Sequence, residues 1–159
     1  MGKRNIAAII LIIFIVATLI LIWSNSIENV KKSQRKSLNV LKAIKPMLEI
    51  FIDKEKVTDH LVRKMAHFIE FSSLGAELAL FLIISRRVRW QGIVNCASFG
   101  LAAALIDETI QRFSSRGSQV KDIWLDFTGV CFGIMYVFIV YWVINAIRAW
   151  YKFNRGEMN

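Results

Sequence analysis

Long uncharged stretches are the feature that most restricts how this chain can fold. The first runs from Ile6 to Trp23, 18 residues without a charged side chain, and a helix of that length crosses the roughly 30 Å hydrocarbon core of a bilayer. The apolar core of a signal peptide is shorter, about 7–15 residues, and no A-x-A-like cleavage site follows, so we expect a retained span. Hydrophobic residues make up 55% of the 159 residues and charged residues 21%. This composition indicates a small membrane protein and excludes a disordered chain.

Three further segments are apolar enough to cross a membrane. The segment 61–85 is polar at its start and apolar toward its end, 90–110 begins with 17 uncharged residues, and 123–147 carries one charge, Asp126. Backbone groups in lipid must form their hydrogen bonds internally, and no segment alternates like a barrel strand. The sequence therefore predicts an all-α integral membrane four-helix bundle, and we expect residues 1–159 to form a single membrane domain.

The connection between the first two spans, residues 24–60, is long and rich in charge. Apolar residues recur at helical spacing among its lysines: Leu41, Ile44, Leu48 and Phe51. This pattern is typical of an amphipathic helix at the membrane interface, and we expect the proline of the chain, Pro46, to break it. Thr58 or Asp59 is positioned to cap the second span.

Polar and small side chains lie at helical spacing inside three of the four spans. In the second span, positions 63, 67, 70, 74 and 77 step by four and three, which places Arg63, His67, Glu70 and Glu77 on one face. The same spacing relates Gly100, Ala103, Ala104, Asp107 and Gln111 in the third span, and Asp122, Asp126, Gly129 and Gly133 in the fourth. The G-x-x-x-G pair allows close approach of a neighbouring helix. The start of the second span, the end of the third and the start of the fourth share one side of the membrane, so their polar groups should meet at similar depth.

Two interpretations of this polar seam follow from the cost of a charge at the bilayer centre, roughly 2.5–3.5 kcal/mol on insertion scales. In the first, the seam is structural, and basic side chains at Arg63, Lys64, His67, Arg112 and Arg116 neutralise acids at Glu70, Glu77, Asp107, Glu108 and Asp126. In the second, the seam is a binding or catalytic pocket. Adjacent helical residues point about 100° apart, so we expect only one of Asp107 and Glu108 to face the seam fully, and the other to meet the loop or a neighbouring helix.

The spacing His67-x-x-Glu70 places two metal-ligand types on one helical face but identifies no third ligand. We therefore expect His67 to form a hydrogen bond between helices, and we expect no metal and no cofactor. Glu77 is expected to pair with a residue of the first or third span.

Four spans place the N-terminus, the turn 86–89 and the C-terminus on one side of the membrane. Eight of the 21 Lys and Arg residues lie on that side, in short segments close to helix ends, and 13 lie on the other. Under the positive-inside rule, the number of basic residues on each side and their density along the chain favour opposite orientations. Charge alone therefore leaves the orientation open. The net charge of +9 suits loops at anionic lipid head groups, and we expect membrane lipids and no nucleic acid as partners.

The same polar residues resemble the VanZ-like family of bacterial membrane proteins over roughly residues 60 to 135. The matching stretches are Arg63-Lys64-x-x-His67-Phe68-x-Glu70-Phe71, then Asp107-Glu108-x-x-Gln111-x-Phe113 with Arg116, and finally Asp122-x-x-x-Asp126-x-x-Gly129-x-x-x-Gly133. Phe71 stands where the family usually has tyrosine, and Asp126 stands where asparagine is frequent. Ser114 to Gly117 replaces a common Pro-Gly-Arg turn.

The resemblance implies an association with resistance to the lipoglycopeptide teicoplanin, as in the namesake of the family. Because such antibiotics act outside the cell, it also implies that the polar end faces outward. Both termini would then be cytoplasmic, in a multi-pass protein of the bacterial plasma membrane.

Our leading hypothesis is an outward-facing polar cavity that binds an amphiphile, which is a lipid-linked cell-wall intermediate, an anionic lipid or a lipoglycopeptide. Arginine and lysine at its mouth would hold phosphate or carboxylate. The candidate ligand-binding residues are Arg63, Lys64, His67, Glu70, Asp107, Glu108, Gln111, Arg112, Arg116, Asp122 and Asp126. One alternative is an enzyme acting on a lipid-linked substrate, with His67 and an acid as general base, although no nucleophile elbow, phosphate loop or two-metal acid set is present. The other is a purely structural membrane subunit.

The expected orientation is testable by cysteine labelling from outside the cell, in a background without Cys96 and Cys131. A membrane-impermeant reagent should modify Ser33→Cys, because the long connection is expected outside, and should leave Ser85→Cys unmodified. Labelling of Ser85→Cys but not of Ser33→Cys would show that the protein has the opposite orientation in the membrane.

Overall fold

The computed structural model describes residues 2–28, 30–50, 53–54, 57–114 and 119–155. These ranges contain no strand. Their helices are α1 (Lys3–Ile27), α2 (Val30–Leu48), α3 (Asp59–Ile84), α4 (Trp90–Phe113) and α5 (Val120–Asn154). The predicted all-α fold is confirmed.

Four of these helices, α1, α3, α4 and α5, are long and apolar enough to cross a membrane. They turn large apolar side chains outward, including Ile13, Phe132 and Trp142. A soluble protein of this size rarely exposes so much contiguous apolar surface, whereas lipid covers it without cost. The chain is therefore a multi-pass membrane protein built on a four-helix bundle, as predicted.

The spanning helices extend beyond the apolar stretches that predicted them. The first continues past Trp23 to Ile27, because the polar residues that follow find partners inside the bundle. The last has 35 residues, a length of about 50 Å, so it continues through the head-group region on the side of the C-terminus.

The amphipathic helix predicted in the long connection is α2. Its apolar side is turned inward, with Leu41 and Ile44 half-buried and Leu48 buried, while Lys42 and Lys45 are exposed. The helix includes Pro46 and ends at Leu48. The helix therefore ends two residues after Pro46, which lacks the backbone N–H that would hydrogen-bond to the preceding turn. Phe51 lies outside the described residues.

Helix α3 occupies the middle of the bundle and touches each of the other four helices. It begins at the predicted cap: the Oγ1 atom of Thr58 accepts a hydrogen bond from the backbone N–H of Leu61 at 3.3 Å. At its other end, Arg86 adopts a left-handed conformation with φ 55°, and the chain returns as α4. This reversal places the end of α4 beside the start of α3.

The closest helix contact joins α3 to α5 through glycines, as the G-x-x-x-G spacing predicted. A Cβ atom at Gly129 would lie 2.8 Å from the carbonyl oxygen of Phe68, and one at Gly133 would overlap the carbonyl oxygen of Ser72. In the opposite direction, Gly75 of α3 faces the backbone of Val130. Only glycine permits two backbones to approach this closely.

Replacing Gly133 with alanine should therefore push α3 and α5 apart and lower the free energy of unfolding by about 1–3 kcal/mol. Thermal unfolding in detergent micelles measures this loss. Cys131→Ala is the matched control, because Cys131 lies on the exposed side of the same helix and its replacement should change stability by less than about 0.5 kcal/mol. An unchanged melting temperature for Gly133→Ala would contradict the described contact.

Candidate functional site

Three helices bring one polar side chain each to a common point near the α3 start of the bundle. The Nδ1 atom of His67 on α3 lies 3.7 Å from Oδ2 of Asp107 on α4 and 4.0 Å from Oδ1 of Asp126 on α5. One ligand-type atom from each residue lies within 4.8 Å of the other two. The convergence at similar depth that helical spacing predicted is therefore present.

Helix α1 completes this site with Ser26, which is fully buried. The Ser26 hydroxyl donates to Oδ1 of Asp107 at 2.6 Å. The side-chain amide of Gln111 donates to Oδ2 of Asp107 at 2.7 Å and lies 3.4 Å from the Ser26 hydroxyl. The Asp107 carboxylate is thus held on both oxygens.

Two further hydrogen bonds join α1 to the acidic face of α3. Asn25 donates to Glu70 at 2.8 Å, and Thr18 donates to Glu77 at 2.8 Å. The expected pairing of Glu77 with the first span is confirmed. Sequence reasoning missed Asn25 because it ended the first span at Trp23, and it gave no role to Thr18 inside that span. The spacing that would have found them is that of Thr18, Asn25 and Ser26, which recur on one side of an extended helix.

Of the basic residues that the structural interpretation paired with the buried acids, His67 is the one described residue that lies at ion-pair distance from them, beside Asp107 and Asp126. Arg63 pairs at 2.6 Å with Asp59, four residues earlier on its own helix. Lys64 bridges α3 to α5 by an ion pair of 2.8 Å with Asp122. Arg112 is exposed and forms no ion pair with a described residue. Arg116 lies outside the described residues.

Both neighbouring acids at the end of α4 are buried. Asp107 is 0% exposed and Glu108 is 5% exposed. Asp107 faces the seam, where it accepts a hydrogen bond from α1 and lies near His67 of α3. Neither oxygen of Glu108 receives a hydrogen bond from a described residue. The burial of Glu108 agrees with the expectation that the acid turned away from the seam meets the loop or a neighbouring helix.

A cavity of about 180 Å³ opens beside this site, between the end of α1, helix α2 and the start of α3. Arg63, His67 and Glu70 line it from α3, and Ser37 and Val40 line it from α2. Of the predicted ligand-binding residues, these three on α3 reach the cavity. Asp107 and Asp126 are not part of the lining of this cavity.

Comparison with known proteins places these residues in a family. A family model described as VanZ/LLP1 matches residues 6–143. The chain belongs to the VanZ/LLP1 family. No curated protein and no solved structure shows a significant match to it. The matched range is wider than the resemblance at 60 to 135, and it includes α1, whose Ser26 and Asn25 complete the site of this VanZ/LLP1 protein.

Removing the Ser26 hydroxyl should test whether α1 holds the site together. Ser26→Ala removes a hydrogen bond of 2.6 Å to the buried Asp107 carboxylate, which should cost about 1–3 kcal/mol of stability. Chemical or thermal unfolding in micelles measures the change. Ser114→Ala is the control, because the Ser114 hydroxyl bonds within its own helix to the carbonyl oxygen of Ile110; equal stabilities for the two variants would argue against the α1 contact.

Proposed function

We propose that this VanZ/LLP1 protein binds the polar head of an amphiphile in the cavity between α1, α2 and α3. The observation that carries the proposal is a cavity with polar and apolar walls under an amphipathic helix at one end of a membrane bundle. An amphiphile reaches such a cavity from the bilayer without leaving the interface.

The lining of the cavity suits a head group that combines an anion with hydroxyl groups. Arg63 offers a planar guanidinium, which suits phosphate or carboxylate. Glu28 and Glu70 offer carboxylate oxygens that accept hydrogen bonds from hydroxyl groups, and Val62 and Val40 provide apolar surface. A lipid-linked cell-wall intermediate carries phosphate, sugar hydroxyls and an acyl or prenyl chain, so it matches this lining better than a simple anionic lipid does.

The size of the cavity limits what it holds. Its volume of about 180 Å³ is below the roughly 300–1,000 Å³ of sites that enclose a drug-sized ligand. The cavity therefore takes one phosphate or one sugar ring, and the apolar chain of the ligand stays in the bilayer. The cavity is proposed to face outward from the bacterial plasma membrane, with both termini cytoplasmic.

A connection with teicoplanin follows from the same chemistry. A lipoglycopeptide also combines a lipid chain, sugars and a carboxylate, so either the antibiotic or the lipid-linked precursor it seeks is a ligand of the proposed type. Occupation of the cavity by either would lower susceptibility to teicoplanin.

The position of His67 favours a second candidate function, an enzyme acting on the same lipid-linked substrate. His67 lines the cavity and lies within 4.0 Å of carboxylates on two helices, the surroundings of a general base. Release of inorganic phosphate or of a saccharide from the bound precursor, abolished by His67→Gln, would select the enzyme over the binding protein.

The binding proposal is testable at Arg63. Lysine keeps the positive charge but cannot reproduce a guanidinium fork, so Arg63→Lys should bind a polyprenyl-diphosphate saccharide at least about tenfold more weakly. The measurement is fluorescence-detected binding to protein held in lipid nanodiscs. Arg148→Lys is the control, because Arg148 is exposed near the C-terminal end of α5.

Circular dichroism should show equal helix content in both variants, so that weaker binding is not attributed to unfolding. Equal affinity for wild type, Arg63→Lys and Arg148→Lys would contradict the anion grip. Absence of saturable binding to the wild type, with teicoplanin tested as second ligand, would contradict the function itself.

A further inference from the structure

His67, Asp107 and Asp126 together form a group of potential metal ligands. We propose that these three side chains bind one divalent transition-metal cation of the Zn²⁺ or Mn²⁺ type. Each residue offers one ligand atom, each comes from a different helix, and the three atoms lie within 4.8 Å of one another. Such an ion would join α3, α4 and α5 at their polar end.

The strongest support is the surroundings of Asp126, which is 1% exposed. A second buried carboxylate, that of Asp107, has an oxygen within 4.8 Å of an oxygen of Asp126. Among the described residues, the imidazole of His67 is the one basic group that forms an ion pair with Asp126. Two buried carboxylates this close together are strongly destabilising unless a cation or a proton neutralises one of them.

An unsatisfied oxygen points independently to a ligand. The Oδ2 atom of Asp126 is buried and has no hydrogen-bond partner among the described residues. Buried carboxylate oxygens in folded proteins are almost always satisfied by a donor, a water or an ion. Because the other oxygen of the same carboxylate faces His67 at 4.0 Å, the unsatisfied group lies at the cluster itself.

The distances are within reach of metal coordination. Metal–ligand bonds of about 2.0–2.2 Å place two ligand atoms at most roughly 4.4 Å apart. The separations from His67 Nδ1 to the two aspartates are 3.7 Å and 4.0 Å. All three ligand atoms lie within 4.8 Å of one another, so the side chains must move closer together to close the site around an ion.

The donor set selects the kind of cation. Two carboxylates and one imidazole suit Zn²⁺, Mn²⁺ or Fe²⁺, whereas Mg²⁺ and Ca²⁺ prefer sites made entirely of oxygen. Three protein ligands leave at least one coordination position for water or a ligand. The hydrogen bonds that Ser26 and Gln111 donate to Asp107 are the second layer that orients a ligating carboxylate.

The sequence led to the opposite expectation because His67 and Glu70 share a face without a third ligand. The third and fourth spans supply the missing ligands, Asp107 and Asp126, which no local spacing relates to His67. His67 also lines the cavity, so the ion would lie beside the proposed ligand. The cation site does not depend on that ligand, and its test uses metal alone.

The test begins with purified full-length protein that has been stripped with a chelator and equilibrated with Zn²⁺ or Mn²⁺. Elemental analysis after dialysis should find about one ion per chain, and an excess of Mg²⁺ or Ca²⁺ should not displace it. The melting temperature should rise with the free concentration of the ion, because an ion that binds only the folded state stabilises it.

Two pairs of variants separate this site from incidental binding. His67→Gln and Asp126→Asn should each weaken binding by at least about tenfold. The first control is His60→Gln, because His60 is the other histidine of the chain and is exposed. The second is Glu77→Gln, because Glu77 pairs with Thr18 away from the cluster. Both controls should bind the ion like the wild type.

Absence of saturable binding to the wild type would overturn the proposal, as would equal binding by Asp126→Asn. If Asp126→Asn bound the ion like the wild type and unfolded at the same temperature as metal-free wild type, a proton would be the neutralising partner. X-ray absorption at the zinc edge of the wild type gives a decision even if the variants fail to fold. The spectrum should show one imidazole among oxygen and nitrogen ligands. Sulfur in the coordination sphere would show instead that the ion binds a cysteine.

Discussion

Close contact between the backbones of α3 and α5 is the constraint on which the rest of the bundle depends. The Phe68 carbonyl, one residue after His67, lies against Gly129, one helical turn after Asp126. The glycine contact therefore sets the register in which histidine and aspartate face each other. A larger residue at Gly129 or Gly133 would push the two helices apart. The polar residues near the helix ends would then no longer lie at the same depth.

Given that register, charge is distributed unevenly across the polar end of the protein. Its basic side chains lie toward the rim, where Arg63 and Lys64 pair with aspartates that are themselves partly exposed. The acids lie inside, with Asp107, Glu108 and Asp126 buried. An apolar bundle holds several carboxylates only if something compensates them. That requirement unites the two proposals: the cavity offers a cation and hydroxyl acceptors to a head group, and the inner cluster offers oxygens to an ion.

Helix α1 contains polar residues that hydropathy alone does not assign to a membrane span. An apolar window ends at the first run of polar residues, so Asn25 and Ser26 were assigned to the connection. In the bundle these two residues continue the helix, because Glu70 and Asp107 accept their hydrogen bonds. A polar residue inside a membrane helix is stable when a partner on another helix satisfies it. The length of a span is therefore decided partly by its neighbours.

The sequence by itself determined the four spans, the amphipathic helix between the first two, the glycine face of α5 and the depth at which polar residues gather. These follow from hydropathy, periodicity and the rise of a helix, which are local properties. The tertiary structure alone decided the pairing between helices: Lys64 with Asp122, and His67 between two aspartates. Each of those partners depends on how helices rotate against one another, and side chains distant along the chain set that rotation through their packing.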